Sequence, residues 1–336
     1  MNVRIFLRDK IFFPLIDLLP HTLKIKLKMA GTCCFGSGWS YLYFACFAKE
    51  FETLSEKDIG DLYSELSAHS LMVLQRYLRY CHFSNMCSKY VNTAHYDSII
   101  VPLENMFPGI KAKIALEAKA CRKLAKRTCF KNFSPEVGCY HHGLTCVEPE
   151  ILAYIKKSVF LDLGAFDGDS SFVLSKYEPE KILAFEPSVA NGKLFAENMK
   201  KSRINNVELI QAGVSDKFDV MRLVENGCVA QLGEKQGYPV DVVTIDGFLK
   251  QHPCSKIRLI KADLEGMGLK MLKGAIETIK KNRPVLLISV YHNQEEFMGV
   301  YKFLKENIKN YCFKAEALAG LSEITLIAWP EEIFSD

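Results

Sequence analysis

The sequence predicts an α/β fold in which a doubly wound, mostly parallel sheet follows a mainly helical N-terminal region. From Glu148 onward, short apolar runs rich in β-branched residues alternate with helical segments, which is typical of a parallel sheet covered on both faces. The first strand leads into a glycine-rich turn and then a helix, as doubly wound sheets do at their ligand site. No such alternation precedes residue 135. We therefore divide the 336 residues into an accessory region, 1–135, and a sheet domain, 136–336.

The composition is that of an ordinary globular protein, with 49% hydrophobic and 24% charged residues. The net charge of +4 is too small to imply a polyanionic partner, although residues 1–150 hold 19 Lys and Arg against 14 Asp and Glu. The 12 cysteines are irregularly spaced, and neither a clean secretory signal nor an apolar run of about 18–20 residues is found. We expect free thiols, a cytoplasmic protein and no transmembrane segment.

Two helices are predicted in the accessory region. The first begins after Ser55, an N-cap with Asp58 three residues later, and its leucines continue at helical spacing to Tyr80. The second runs from about residue 110 to 127. Its polar face carries Lys111, Lys119, Arg122, Lys123, Lys126 and Arg127. This face is either solvated or a surface for an acidic substrate, a phosphate or an anionic membrane. Residues 23–29 alternate with period two, which suits an edge strand or a segment lying on a membrane.

The sheet domain contains five apolar runs that predict buried strands, at 158–163, 181–185, 207–211, 257–262 and 285–290. Helical spacing between them predicts helices at 169–177, 188–200, 269–280 and 294–307. Two further runs, 311–315 and 324–329, predict an antiparallel edge. Asp246 follows another apolar run and is expected to cap the short helix at Gly247.

The turn after the first strand has the features of an adenosine site. Gly164 and Gly168 permit a tight turn, and Glu186 lies 22 positions after Gly164, where an acidic side chain accepts both ribose hydroxyls. A dinucleotide fingerprint needs a glycine at position 166, but Phe166 stands there and would obstruct a pyrophosphate. Three aspartates around the turn, Asp162, Asp167 and Asp169, favour a cationic sulfonium instead. Alternatively, the glycines serve only the tight turn.

Taken together, five segments of the sheet domain resemble the FkbM-type class I methyltransferases. The resemblance covers roughly residues 148–292 and rests on Asp162-Leu-Gly-Ala-Phe-Asp-Gly-Asp-Ser170, Phe185-Glu186-Pro187-Ser188, Ile260-Lys261-Ala-Asp263-Leu-Glu265-Gly266, Leu272-Lys273-Gly274-Ala275 and Ile288-Ser289-Val290-Tyr291-His292. It implies a Rossmann-like, seven-stranded sheet, S-adenosylmethionine as cofactor, and O-methylation of sugars or other hydroxylated metabolites. The sequence departs from the family at Gly268, where a second acid usually follows Asp-x-Glu-Gly.

The resemblance also implies which residues hold the cofactor. The methionine end would be lined by the turn, with Phe166 among its residues: Asp162, Gly164, Ala165, Phe166, Asp167 and Gly168. Glu186 would hold the ribose, and Pro187 and Ser188 would lie beside the adenine, with Ser215 as a weaker match at its border.

Methyl transfer to an alcohol needs a base at the carboxyl ends of the strands, facing the cofactor. Asp263 is the first candidate, as general base or substrate ligand, followed by Glu265 and His292. The alternatives are a helix N-terminal charge for Glu265 and a loop histidine for His292.

A second cluster, Cys139, His141, His142 and Cys146, contains residues that bind zinc, but its spacing matches no common zinc site. We expect no metal, and His141 or His142 could instead form a lid over the site.

The sequence thus predicts an S-adenosylmethionine-dependent methyltransferase acting on a small-molecule or glycan acceptor. A non-catalytic binding protein that keeps the fold is the main alternative, and a dinucleotide oxidoreductase is disfavoured by Phe166. Nucleic acid is disfavoured as a partner because no aromatic and basic platform is evident, while peripheral membrane contact stays open.

Overall fold

The structure is a computed structural model that describes residues 48–90, 107–131, 133–226, 229–233 and 237–335. The alternating segment predicted at residues 23–29 lies outside the described residues. The helices are α1 (Glu56–Leu62), α2 (Ala68–Tyr90), α3 (Ile110–Ala125), α4 (Pro135–Gly138), α5 (Pro149–Ile155), α6 (Asp169–Leu174), α7 (Val189–Ser202), α8 (Ile245–Gln251), α9 (Gly268–Lys273), α10 (Ile276–Asn282) and α11 (Gln294–Asn307). The strands are β1 (Val159–Leu163), β2 (Lys181–Phe185), β3 (Val207–Ile210), β4 (Gly213–Val214), β5 (Asp219–Asn226), β6 (Val229–Gly233), β7 (Tyr238–Val243), β8 (Ile257–Ala262), β9 (Val285–Ser289), β10 (Tyr311–Ala317) and β11 (Ile324–Pro330).

The main sheet has seven strands in the order β10-β11-β9-β8-β1-β2-β3. Strands β9, β8, β1, β2 and β3 are parallel, whereas β11 pairs antiparallel with both β9 and β10. Every residue of β1 and β9 is buried, because helices cover both faces of a doubly wound sheet. The predicted fold class, the seven strands and the antiparallel edge are confirmed.

A second sheet of four strands, in the order β4-β7-β5-β6, was not predicted. Its strands β5 and β6 form an antiparallel pair, and β7 pairs antiparallel with β5 and parallel with β4. Residues on this sheet are more exposed than those of the main sheet; Val220, for example, is 61% exposed. Its strands therefore lack the continuous apolar runs by which buried strands are recognised.

The helix predicted at 269–280 is two helices, since the chain breaks between α9 and α10 at Gly274. A side chain at Gly274 would collide with the carbonyl of Ser215, so the residue that follows β4 packs directly against this break. The expectation for Asp246 was wrong in its target: its carboxylate accepts the N–H groups of Glu277 (3.1 Å) and Thr278 (2.8 Å) and therefore caps α10. The hydroxyl of Thr244 caps α8 instead.

The accessory region packs against the sheet domain. The predicted capping box of Ser55 and Asp58 is confirmed, but the helix ends at Leu62 and a separate, longer helix, α2, follows. The Tyr77 hydroxyl of α2 donates to the carbonyl of Tyr291 at 2.8 Å, and its ring lies 5.5 Å from that of Phe297. Both parts of the chain thus contribute to one hydrophobic core, and the boundary at residue 135 stays a prediction. Among the described helices, none combines the length and apolar character that crossing a bilayer requires.

Candidate functional site

The candidate site lies beside β1, where successive strands change from being added on one side of the sheet to being added on the other. From β1 the chain continues to β2 and β3 on one side, whereas β8 and β9 lie on the other. In doubly wound sheets the ligand binds at the carboxyl ends of the strands at such a switch point. The two sides meet there directly, because the N–H of Asp263 donates to the carbonyl of Leu163 at 3.0 Å.

The turn after β1 adopts left-handed backbone conformations at three positions, with φ of +80° at Gly164, +46° at Phe166 and +91° at Gly168. A side chain at position 164 would collide with the carbonyl of Asp263, and one at position 168 would lie 2.7 Å from the Met199 side chain. Packing and backbone conformation therefore suffice to explain both glycines. The presence of these glycines does not by itself argue for a ligand.

Glu186 connects the end of β2 to this turn. Its side chain is buried, with one carboxylate oxygen accepting the N–H of Phe166 at 3.0 Å. The other oxygen accepts the N–H of Ser188 at 2.9 Å and the side-chain amide of Asn191 at 3.2 Å. Burial raises the pKa of Glu186, while these hydrogen bonds act in the opposite direction. A buried acid is thereby aimed at the backbone of the turn.

The other predicted adenosine ligands surround Glu186, with one exception. Ala165 is buried and donates its N–H to the carbonyl of Phe185 at 3.0 Å, and Ser188 is the N-cap of α7. Pro187 lies between Glu186 and that cap. Ser215 instead follows β4 of the second sheet, where its hydroxyl donates to Asp216 at 3.1 Å. Its role at the adenine border stays a prediction.

Asp162 lies beneath the turn and is paired with Lys261, a residue that sequence reasoning missed. The Lys261 ammonium is 3.2 Å from one oxygen of Asp162 and donates to the Gly164 carbonyl at 2.8 Å. The other oxygen of Asp162 accepts the Ser171 hydroxyl at 2.7 Å. Burial alone would lower the pKa of Lys261, but Asp162 and Asp263 outweigh it and raise this pKa. The one available signal was a lysine within the apolar run that follows Arg258 in β8.

The charge at the turn is therefore smaller than three aspartates would give. The ammonium of Lys261 offsets Asp162. Burial, and then the neighbouring charge of Asp167, raise the pKa of Asp169 to about 7. Burial also raises the pKa of Asp167. Ionisation of Asp169 near pH 7 therefore adds to the negative charge of the turn.

On the β8 and β9 side, the structure brings all three predicted catalytic residues together. His292 Nε2 lies 3.1 Å from Asp263 Oδ1 and 3.8 Å from Glu265 Oε2. Its Nδ1 lies 3.0 Å from Glu296 Oε2, a carboxylate that the sequence did not single out. We call Asp263, Glu265, His292 and Glu296 the acid–histidine cluster.

The members of the acid–histidine cluster differ in their affinity for protons. Burial alone would raise the pKa of Asp263, but the hydrogen bond and charge of His292 bring it well below its usual range. Burial alone would lower the pKa of His292, but Glu296 and Asp263 raise it well above its usual value. Burial raises the pKa of Glu265 to about 7 despite the opposing charge of His292. The pKa of Asp263 is thus lowered, whereas the pKa of its neighbour Glu265 is raised.

The departure at Gly268 has a structural counterpart. The N–H of Gly268 donates to Glu296 Oε1 at 2.6 Å. A Cβ at position 268 would lie 2.7 Å from the same oxygen. The space that a side chain at 268 would need is thus occupied by a carboxylate from α11.

The cysteine and histidine cluster does not converge on one point. Cys139 Sγ lies 3.7 Å from Cys121 Sγ, and His141 Nδ1 lies 2.7 Å from the Tyr177 hydroxyl. Only His142 reaches the glycine turn, where Nε2 lies 2.9 Å from the Ser170 hydroxyl. The other ring nitrogen of His142, Nδ1, lies 3.1 Å from the buried carboxylate of Glu136. Sequence reasoning did not single out Glu136.

Part of the chain is similar to a known protein family. Residues 162–313 match the family model of the methyltransferase FkbM domain. Methyltransferase 1 of Beauveria bassiana (strain ARSEF 2860) is 27% identical to the chain, over 36% of this chain and 66% of that protein, just under two thirds of its length.

Two solved structures are similar to the chain at low sequence identity. The methyltransferase FkbM from Methylobacillus flagellatus KT has a TM-score of 0.42 at 21% identity, over 65% of this chain and 60% of that chain. An rRNA methylase from Streptococcus thermophilus has a TM-score of 0.39 at 14% identity, over 58% and 95%. The family match begins at Asp162 and spans the turn, Glu186 and the acid–histidine cluster. Residues 162–313 are thus similar to an FkbM methyltransferase domain, and they include strands β2, β8 and β9 of the doubly wound sheet.

Proposed function

We propose that the chain is an S-adenosylmethionine-dependent methyltransferase whose acceptor is a hydroxyl group of a sugar or another hydroxylated small molecule. The observation that carries the proposal is the buried carboxylate of Glu186, which is hydrogen-bonded to the Phe166 N–H at the carboxyl ends of β1 and β2. The family match over the same residues supports methyl transfer as the reaction.

The hydrogen bonds of Glu186 are compatible with a ribose. A carboxylate offers about four lone-pair positions, and the three donors here are two backbone N–H groups and the Asn191 amide. The Asn191 contact, at 3.2 Å, is the longest and the only one made by a side chain. If Asn191 rotates away, one position on each oxygen is open to a ribose hydroxyl. Glu186 would then bind the ribose while still holding the turn.

The turn residues favour a cation over a pyrophosphate. Phe166 adopts a φ of +46° where a dinucleotide site would use glycine. Asp167 and Asp169 are acids on the turn, and Asp169 gains its negative charge as the pH rises through about 7. This charge attracts a sulfonium and an α-amino group. Asp162 would support the turn indirectly, because it pairs with Lys261, which donates a hydrogen bond to the Gly164 carbonyl.

When bound, S-adenosylmethionine supplies an electrophilic methyl group on a positively charged sulfur. The residues of this chain then have to align the acceptor oxygen and remove its proton, because transfer is an in-line displacement. Glu265, with its pKa raised to about 7, is suited to take that proton at physiological pH. Asp263, ionised and bonded to His292, is better suited to orient the acceptor hydroxyl.

This assignment reorders the three candidates. Asp263 was the first choice as base, but an acid whose pKa is lowered has little tendency to accept a proton. His292 would be largely protonated in the cluster and therefore could not serve as the base. We accordingly propose Glu265 as the base, Asp263 as the acceptor ligand, and His292 as the cation between them.

The cysteines and the cations of α3 bear on the location and the partners of the chain. The described cysteines are free thiols, including the neighbours Cys121 and Cys139, which supports the proposal of a reducing, cytoplasmic compartment. The exposed cations Lys119, Arg122, Lys123 and Lys126 on and just after α3 keep an anionic surface or ligand open as an outcome of experiment.

The decisive experiment supplies the full chain with S-adenosylmethionine carrying a deuterated methyl group and a cell extract, then follows the label by mass spectrometry. A labelled methyl ether that is absent with Glu186→Ala supports the proposal. A labelled amine, nucleic acid or protein would overturn the acceptor class. Cofactor binding without any labelled product would favour the non-catalytic alternative.

A further inference from the structure

Glu296 is a buried acid to which the proposed transfer assigns no step. It lies in the first turn of α11, where its N–H donates to the side chain of the N-cap Asn293 at 2.8 Å. Its side chain is only 1% exposed, although carboxylates are almost never fully buried unless they are paired. An acid kept in such a place needs partners that offset its desolvation.

Both oxygens of Glu296 have a partner, and the two partners differ. Oε1 accepts the backbone N–H of Gly268 at 2.6 Å, at the start of α9. Oε2 lies 3.0 Å from Nδ1 of His292. Glu296 therefore connects the beginning of α9 to the histidine that follows β9.

The second nitrogen of His292 also faces a carboxylate, since Nε2 lies 3.1 Å from Asp263 Oδ1. The Nδ1 contact is a hydrogen bond, and the Nε2 contact is an ion pair. A carboxylate oxygen has lone pairs and no hydrogen to offer, so each ring nitrogen must carry a hydrogen for its contact to be attractive. Only the imidazolium form meets this requirement. We propose that Glu296 is a positioning residue that holds His292 as an imidazolium and fixes its Nε2–H against Asp263.

Gly268 makes this arrangement possible. A Cβ at position 268 would lie 2.7 Å from Glu296 Oε1 and 3.7 Å from the Ile288 side chain. Any larger residue at 268 must displace the buried carboxylate from the N–H that it accepts. The absence of a side chain at 268 and the presence of Glu296 thus belong to one structural solution.

The consequence for the site is a division between its two acids. The fixed N–H of His292 stabilises the ionised form of Asp263, whereas Glu265, at 3.8 Å from the same nitrogen, is left more able to take up a proton. Only this consequence rests on the proposed function. The protonation of His292 is a property of the chain alone and is measurable without cofactor or acceptor.

Other charged groups also act on the cluster. Asp263 and Glu265 face His292 from the end of β8, and Glu296 faces it from α11. Around them lie Lys261 and His142, which favour ionised Asp263, and Glu136, which acts on Glu265. Glu323 interacts with both Asp263 and His292, and the Tyr291 hydroxyl donates to Asp263 at 3.4 Å. A change confined to Glu296 leaves all of these in place and therefore reports on its own contribution.

The test is nitrogen-15 NMR of the full chain labelled at histidine, with His292 assigned by the spectrum of His292→Gln. Glu296→Gln removes the charge and offers one acceptor oxygen where two donors must be met. We expect the His292 imidazolium to persist to a pH well above that of an ordinary histidine in the unaltered chain, and its titration midpoint to fall by at least about one pH unit in Glu296→Gln. Glu295→Gln, the same change at the exposed neighbour, should leave the midpoint unchanged.

Gly268→Ala provides a second route that keeps the acid. It should lower the same midpoint by displacing Glu296, whereas Gly60→Ala, in a helix with open space, should not. A His292 that is neutral at pH 7 in the unaltered chain would overturn the proposal, as would equal midpoints in Glu296→Gln and Glu295→Gln. Titration of the same samples with S-adenosylmethionine tests the proposed function separately, because cofactor affinity depends on the turn and Glu186.

Discussion

The two sides of the candidate site are built from different kinds of contact. On the turn side, residues 162–188, Glu186 is held by backbone donors at most 20 residues away, and Asp162 by Ser171. The acid–histidine cluster depends on longer separations along the chain: the ion pair of Asp263 with His292, and the hydrogen bond from the Gly268 N–H to Glu296, 28 residues away. The turn side is thus a local motif, whereas the cluster exists only once β8, β9 and α11 are packed together.

This difference predicts that substitutions in the cluster affect chemistry and those on the turn side affect binding. Lys261 belongs to both, since it lies on β8 and bonds the Gly164 carbonyl. Variants on each side, and of Lys261, therefore test whether the two sides have separate roles.

The largest effect is expected for Glu265→Gln. Loss of a general base lowers turnover by roughly 100- to 10,000-fold, while the dissociation constant for S-adenosylmethionine should stay within about threefold. In the unaltered chain, the rate should rise with pH through about 7, because the ionised form of Glu265 is the active one. Methyl transfer assays on labelled cofactor measure both quantities. Glu306→Gln, on the exposed face of α11, is the control, and full turnover in Glu265→Gln would show that another base is used.

Lys261→Met should destabilise the fold by about 3–5 kcal/mol, since removing one member of a buried pair leaves an uncompensated charge, here that of Asp162. Urea unfolding gives the change in free energy. Adding Asp162→Asn should restore part of the loss, and Lys280→Met, at an exposed position, should have little effect. If Lys261→Met proved as stable as the unaltered chain, the link between the two sides would not be structural.

Glu186→Ala should weaken S-adenosylmethionine binding by about 100-fold, because the ribose loses hydrogen bonds to a charged acceptor, each contributing about 1.5–3 kcal/mol. Turnover at saturating cofactor should fall far less than in Glu265→Gln. Isothermal titration measures the affinity, and Glu197→Ala, exposed on the same α7 helix, is the control. Unchanged affinity would remove Glu186 from the ribose site.

The smallest effect concerns stability and pH. The pKa of Glu265 is raised to about 7 in the folded chain from an ordinary 4.5, so ionising it favours the unfolded state. This cost is absent below about pH 4.5 and fully present above about pH 7. Glu265→Gln should therefore be more stable than the unaltered chain at pH 8, by about 1–3 kcal/mol, and of similar stability at low pH. Urea unfolding at both pH values decides, and a stability difference independent of pH would contradict the assigned pKa.

Sequence reasoning succeeded where a pattern is local. The strand from 257 to 262 and the helix from 294 to 307 match β8 and α11. The strand is a short run buried on both faces, and the helix buries one periodic apolar face. Glu186 was found through its fixed spacing from Gly164. These features depend on the order of residues along one element or one turn.

The features that the sequence did not reveal depend on distant contacts. Glu296 reads as an ordinary acid in the first turn of a helix until Gly268, 28 residues away, is placed beside it. Lys261 bonds the Gly164 carbonyl, 97 residues away. Glu136 is placed in the site only through its contacts with His142 and Ser289. The break between α9 and α10 likewise lies where the carbonyl of Ser215 approaches Gly274.

The most direct measurement of the central claim is isothermal titration of the full chain with S-adenosylmethionine, alongside NAD as the competing adenosine ligand. The arrangement of Glu186, Phe166 and the turn aspartates predicts saturable binding of one S-adenosylmethionine per chain, stronger at pH 8 than at pH 6 because Asp169 ionises between them. No heat of binding for S-adenosylmethionine, or tight binding of NAD in its place, would contradict it.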